Sequence, residues 1–367
     1  MVATPVAAGL SGRLLTAVAA GIDGLMLRAA RVAIDFALMP PPEETQALRA
    51  SAAFYVRPEL LDAPGRFFGF LDNGRAPLPE VSLTRRRTSV AGAERFTVTF
   101  PSVYEPVDPS YAAELAAHAE NRVARAELWC HRDRPARGTV IGLHGFGMGY
   151  PALDAPMLMT SALFGTGLDV ALFTLPFHGA RTPATARFSG ELFAQPSVPR
   201  INEAIGQAVH DLTHFVAWLR TRGTGPVGIV GLSLGGYVAA LMAAVAPDLD
   251  FAIPMVAPVC LGDLAFRFMH ESRRYRHDPD ARLSYDELRA AYRVHSPLAH
   301  PVRMPRHRLL IVAGLGDRIV PPEHAAWLWA HWDYPRLHWF EGSHVVPFGR
   351  AGVLRAIRRF LRDLGVV

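Results

Sequence analysis

Ser233 stands at the centre of Gly231-Leu232-Ser233-Leu234-Gly235, between an apolar run at 226–230 and an alanine-rich run at 238–244. The first run has the length and bulk of a buried strand and the second reads as a helix, so the serine falls on a strand-to-helix turn. A turn that sharp needs residues without side chains at 231 and 235, where the helix and a neighbouring strand must pass close by. The hydroxyl is thereby held at the end of a sheet, beside a helix N-terminus and the peptide N–H of Leu234. A serine hydroxyl is too weakly acidic to attack a carbonyl at neutral pH unless a base takes its proton. Two groups further along the chain suit that need: Asp317 in Gly314-Leu315-Gly316-Asp317-Arg318-Ile319-Val320-Pro321, and His344 in Glu341-Gly342-Ser343-His344. An imidazole titrates near neutrality, and a carboxylate behind it would hold the useful tautomer. Each residue has a plainer reading, as a helix cap, a turn aspartate or a surface histidine. Their order, each after the end of an apolar run, favours the chemical reading.

A fourth stretch, His144-Gly145-Phe146-Gly147-Met148-Gly149, follows the apolar run at 140–143. Its glycines free the backbone to turn N–H groups inward, and the N–H groups of Phe146 and Leu234 are expected to hold a developing oxyanion. The competing reading, a dinucleotide fingerprint, fails because Tyr150 occupies the place of the third glycine. A nest cradling a phosphate is a further alternative.

The elements that must carry these groups alternate. Apolar runs at 139–143, 169–175, 226–230, 251–256, 308–313 and 336–340 read as buried strands. Helical periods fall at 155–164, 201–222, 233–246, 322–331 and 350–364. That rhythm predicts an α/β fold with a mostly parallel, doubly wound sheet. Before it, 94–100 and 124–130 alternate as half-buried, antiparallel strands should. Between 259 and 305 two helical segments interrupt the alternation, and an insertion there would form a cap over the pocket. Its Phe266, Phe268, Met269 and Tyr285 favour an apolar substrate. The expected organisation is therefore a helical and irregular extension at 1–93 and a catalytic domain at 94–367.

In the extension, Leu14, Leu15, Val18, Ile22, Leu25, Met26, Val32 and Phe36 recur at helical spacing, with Arg13, Asp23, Arg28, Arg31 and Asp35 on the other side. No apolar run there is long enough to cross a bilayer. The stretch 14–22 imitates a signal-peptide core but only Arg13 precedes it, so a helix packed on its own domain is expected, with peripheral membrane contact through 10–38 as the alternative. Pro40-Pro41-Pro42 ends that helix. The segment 54–79 shows no clear period and is read as irregular.

The formal charge is +5, yet all 38 basic residues are arginine. Without lysine the chain cannot be a Schiff-base or pyridoxal-phosphate enzyme, nor a P-loop protein. The arginine clusters at 85–87 and 273–276 are short and lack interleaved aromatics, so no nucleic-acid partner is expected. Cys130 and Cys260, the two cysteines, are too few for a disulfide framework or a four-cysteine zinc site and suit a reducing, cytoplasmic setting. No metal and no cofactor is expected, on the reading that the chain has no His-x-x-x-His or Cys-x-x-Cys pair to hold one.

On His144-Gly145-Phe146-Gly147, Gly231-Leu232-Ser233-Leu234-Gly235, Gly316-Asp317-x-x-Val320-Pro321 and Gly342-Ser343-His344, the chain resembles the alpha/beta-hydrolase superfamily over about residues 125–367. The resemblance implies an esterase-like enzyme with Ser233 as nucleophile, Asp317 as acid, His344 as base and Phe146 and Leu234 as oxyanion donors. Pro176-Phe177-His178-Gly179 looks like the loop after the next strand in such enzymes, and His144, Phe177 and His178 are expected to line the substrate site. The expected reaction is hydrolysis of a small or lipid-like carboxylic ester through an acyl-enzyme. An acyltransferase or thioesterase with the same three residues is the alternative, and a non-catalytic binding protein on this fold is a third reading.

Overall fold

A computed structural model describes residues 10–37, 45–69, 77–195, 197–246, 248–271, 283–346 and 348–367. Its centre is a nine-stranded sheet in the order β1-β2-β3-β5-β4-β6-β7-β8-β9. The strands β1 (Ser82–Arg86), β2 (Ala93–Pro101) and β3 (Val123–His131) are antiparallel, and β3 runs antiparallel to β5 (Leu168–Thr174). From there β4 (Gly138–Leu143), β6 (Val227–Leu232), β7 (Phe251–Met255), β8 (Leu310–Gly314) and β9 (Arg336–Phe340) continue in parallel. Strands β4 to β8 are buried almost throughout, as apolar runs covered on both faces should be.

Helices cover both faces. Ahead of the sheet come α1 (Leu10–Ala37), α2 (Thr45–Tyr55) and the single turns α3 (Pro58–Leu61) and α4 (Pro64–Phe67); α5 (Ala112–Ala117) follows β2. The helical period expected at 155–164 is broken into α6 (Pro151–Met157) and α7 (Thr160–Phe164). Met159 between them takes a left-handed φ of 54°. After β5 come α8 (Glu191–Ala194) and the long α9 (Val198–Thr221), then α10 (Leu234–Val245) straight out of β6. One core joins α9, α10 and α13 (Pro322–His331) to the sheet, and a second joins α7 and α14 (Arg350–Asp363) to the other face. The interruption after β7 is α11 (Leu261–Glu271) and α12 (Tyr285–Ala291), where the insertion was expected.

The first ninety residues depart most from expectation. They contribute β1, an edge strand whose side chains are all exposed and which therefore shows no alternation to read. Far from irregular, 54–69 sends Tyr55, Phe67 and Phe68 into the main core. Helix α2 reaches the inserted α12 through Arg49 and Glu287, 2.8 Å apart. Helix α1 packs with the opposite side from the one its apolar period suggests. Among its residues whose burial is described, 12–28, the buried positions are Gly12, Ala19, Ala20 and Asp23, whereas Leu14, Leu15, Val18, Ile22, Leu25 and Met26 are exposed, Leu14 and Leu25 by two thirds. Among the described residues no helix is long and apolar enough to cross a membrane.

Candidate active site

Strand β6 delivers Ser233 at its end with φ 54° and ψ −114°, a conformation that L residues adopt only where the surroundings impose it. The surroundings do. The Ser233 N–H donates to the Met255 carbonyl at 2.9 Å and its carbonyl accepts from the Tyr237 N–H in the first turn of α10. A Cβ at 231 would sit 2.0 Å from the Gly235 carbonyl oxygen, and one at 235 would sit 2.3 Å from that of Leu143. The two glycines are thus required by close approach, as the motif implied.

Asp317 lies past the end of β8 and His344 past the end of β9, so the parallel order β6, β7, β8, β9 brings all three to one rim. His344 Nε2 is 2.8 Å from Ser233 Oγ, and its Nδ1 is 2.8 Å from Asp317 Oδ2. A carboxylate can only accept, so the proton of this imidazole sits on Nδ1 and Nε2 is free to accept from the serine hydroxyl. The other carboxylate oxygen, Oδ1, accepts from the N–H groups of Ile319 and Val320 at 3.0 and 2.7 Å. That pins the Asp317 side chain, which is nearly inaccessible to solvent. The three residues separated by up to 111 positions meet as the sequence suggested.

The glycine-rich loop after β4 comes beside the serine. A Cβ on Gly145 would lie 3.6 Å from Ser233 Cβ, and Gly147 and Gly149 take φ values of 76° and 102° that suit glycine. The Leu234 N–H is the first amide of α10 and has no acceptor within its own helix. An apolar cavity of about 50 Å³ adjoins His344, walled by Leu232, Met255, Val256, Met157 and Phe340.

The three residues expected to line the substrate site are packed behind it instead. His144 is buried; its Nδ1–H donates to the Gly145 carbonyl at 2.8 Å and its Nε2 accepts from the Leu175 N–H at 3.0 Å. Burial lowers its pKa to about 4, so it is a neutral clamp between two loops. His178 is fully buried with Nδ1–H on the Pro176 carbonyl, its pKa lowered by burial to about 3, and its ring meets the Phe146 ring edge-on. Phe177 is fully buried against Tyr104, Tyr111 and Leu115. Glycine-rich and histidine-containing loops look alike in sequence whether they face a ligand or brace one another; Arg181 was the better signal. That buried guanidinium donates to the carbonyls of Asn121 and Thr174 and pairs with Asp211 at 2.8 Å, which makes the loop after β5 a rigid support.

Met269 of the expected cap belongs to the residues whose side chains are not described. Phe266 packs edge-on against Tyr285, and both are half-buried. The expectation that no His-x-x-x-His pair is present is corrected here: His210 and His214 stand at that spacing on α9. Their Nδ1–H groups donate to the carbonyls of Phe68 and His210. Among the described residues no group of three His, Cys, Asp or Glu could hold a metal.

A residue that sequence reasoning passed over completes the site's framework. Asp23 of α1 is fully buried and accepts from the Ser343 hydroxyl at 2.7 Å and from the N–H groups of His344, Val345 and Arg318 at 2.9, 3.2 and 3.2 Å. The signal that could have found it is the run of small residues Gly12, Thr16, Ala19, Ala20 with Asp23, which share one helical face and allow close packing.

Fold and constellation together define an alpha/beta hydrolase, and comparison with known proteins assigns the chain to that superfamily. The family described as alpha/beta hydrolase domain containing 18 matches residues 122–261, and the prolyl oligopeptidase family matches residues 201–338. Among individual relatives, Uncharacterized protein Rv2627c of Mycobacterium tuberculosis is 29% identical over 328 residues, 88% of this chain and 76% of its own length. Among solved structures, Acetyl Xylan Esterase 1 from Thermoanaerobacterium sp. JW/SL YS485 superposes with a TM-score of 0.60 at 13% identity, covering 84% of this chain and 94% of its own. The acetyl xylan esterase from Paenibacillus sp. R4 gives 0.59, also at 13% identity, over 84% and 95%. At such identities these likenesses speak for the fold.

Proposed function

We propose that this protein is a serine hydrolase that cleaves a carboxylic ester through an acyl-enzyme. The observation that carries the reading is the unbroken line Ser233 Oγ, His344 Nε2, His344 Nδ1, Asp317 Oδ2, with 2.8 Å at each hydrogen bond. Ser233 Oγ attacks the ester carbonyl while Nε2 of His344 takes its proton; Asp317 holds the imidazole and stabilises the imidazolium. The carbonyl oxygen gains the negative charge and is held by the N–H groups of Phe146 and Leu234. Collapse of the tetrahedral intermediate breaks the bond to the alkoxy oxygen, which leaves as the alcohol with the proton from His344. Water then attacks the acyl-enzyme by the same route, releasing the acid and restoring the serine. The mostly apolar cavity beside His344 supports an apolar acyl group.

The test is reaction with a fluorophosphonate probe, followed by a chain-length series of p-nitrophenyl esters. The wild type is expected to label and to turn over, and Ser233→Ala to do neither. A wild type that stays unlabelled, or a Ser233→Ala variant that labels equally well, rejects the proposal.

A further inference from the structure

We infer that Asp23 is a positioning residue for the reaction: its carboxylate, brought from the N-terminal helix, fastens the loops that carry His344 and Asp317 to each other. This rests on the triad proposed above. The four donors to Asp23 divide between the two loops. Oδ1 takes the Ser343 hydroxyl and the Val345 N–H; Oδ2 takes the His344 N–H and the Arg318 N–H. Arg318 follows the acid directly, and Ser343 to Val345 bracket the base. One rigid group therefore sets the spacing between the backbones on which the imidazole and the carboxylate hang. Carboxylate acceptors form shorter and stronger hydrogen bonds than neutral ones, and Asp23 is shielded from water that could replace it. The helix is seated for this task. The loop offers Gly316 where α1 comes closest, since a Cβ there would lie 2.8 Å from the Thr16 carbonyl oxygen. In the same way Ser343, fully buried, donates to a residue 320 positions away.

An amide in place of this carboxylate keeps the shape but turns one acceptor into a donor: at the Oδ2 position it faces the N–H groups of His344 and Arg318 and releases the Asp317 loop, and at the Oδ1 position it faces the Val345 N–H and loosens the His344 loop. A base displaced by about 1 Å loses about a hundredfold in rate. The expected result for Asp23→Asn, measured with p-nitrophenyl butyrate on the full-length folded protein, is a fall in kcat of ten- to a hundredfold with KM changed by less than about threefold. Ser343→Ala removes one donor from the other side and is expected to lower kcat in the same sense, by less. Leu25→Ser, on the exposed face of α1, is expected to leave both constants unchanged. A double-mutant cycle separates positioning from general weakening of the fold: in a His344→Ala background the Asp23→Asn change is expected to cost nothing further, because no base remains to be placed. Wild-type kcat in Asp23→Asn overturns the inference, as does an equal loss with and without His344. If Asp23→Asn fails to fold, judged by circular dichroism, Ser343→Ala decides: an unchanged kcat overturns the inference, and a loss that vanishes without His344 upholds it. A His344→Ala protein as active as wild type refutes the triad itself, an outcome distinct from these.

Discussion

Replacing Asp317 by asparagine should be far more damaging to turnover than to stability, and the hydrogen bonds around it say why. Oδ1 of Asp317 accepts from two backbone N–H groups, those of Ile319 and Val320, which do not move without unfolding the turn. In the variant only the amide oxygen can meet those donors, so the NH2 group must point at Nδ1 of His344, 2.8 Å away from the present Oδ2. An NH2 group donates, so Nδ1 must accept, and the imidazole proton is forced to Nε2. The ring then donates to Ser233 Oγ and cannot take its proton. A wrong tautomer of this kind costs about 10⁴ in kcat, or about 5 kcal/mol of transition-state stabilisation. The two backbone hydrogen bonds survive, so the melting temperature should fall by no more than a few degrees. The assay is kcat/KM for p-nitrophenyl butyrate at pH 8 alongside thermal unfolding. A variant within tenfold of the wild type would refute the argument, because the tautomer would then not matter.

Gly235→Ala should destabilise by about 1–3 kcal/mol, since its Cβ would meet backbone oxygens of Leu143 and His144 at 2.3 and 2.6 Å; an unchanged urea midpoint would contradict this. Arg181→Met leaves Asp211 buried with the Ser102 hydroxyl as its remaining side-chain partner, and should cost about 3–5 kcal/mol. Replacing both members of that pair by apolar residues should cost less, as a denaturation series on single and double variants can show. Acid should loosen the fold once buried neutral histidines are called on to charge. His144, His178 and His295 have pKa values lowered by burial to about 4, 3 and 3, so the unfolded chain binds protons first and stability falls as pH drops below about 6.5. Asp154, its carboxyl pushed up by burial to about 6, and Glu203, raised in the same way, work in the opposite sense, but burial also lowers His210, His300 and His338, so six histidines oppose two carboxyls. The melting temperature should therefore decline steadily from pH 7 to 4, and a flat profile would count against the neutral histidines.

How much of this was legible depends on where each signal lives. The parallel strands are short apolar runs followed by turn chemistry, and Ser233, Asp317 and His344 follow their ends, so their meeting at one rim could be read from order. Burial of a loop leaves no such mark. His144, Phe177 and His178 sit in a stretch whose composition suits a ligand wall, but the partners that enclose them, Asn121 and Arg181 among others, are fixed by tertiary packing. The N-terminal helix misled for a physical reason. Periodicity identifies two faces but does not say which one packs, and here the small residues pack while the leucines remain outside. Aspartate is rarely buried without a cation, which makes Asp23 read as part of a solvated face; its partners are three backbone amides and the Ser343 hydroxyl.

That last separation governs how the protein comes to be made. Synthesis delivers α1 about three hundred residues before the turn it must grip, so its greasy outer stripe and its carboxylate both emerge with nothing yet to hold. Only when the turn at 343–345 is outside the ribosome can α1 close on it. The proposed hydrolytic competence should thus appear only after that turn has met α1.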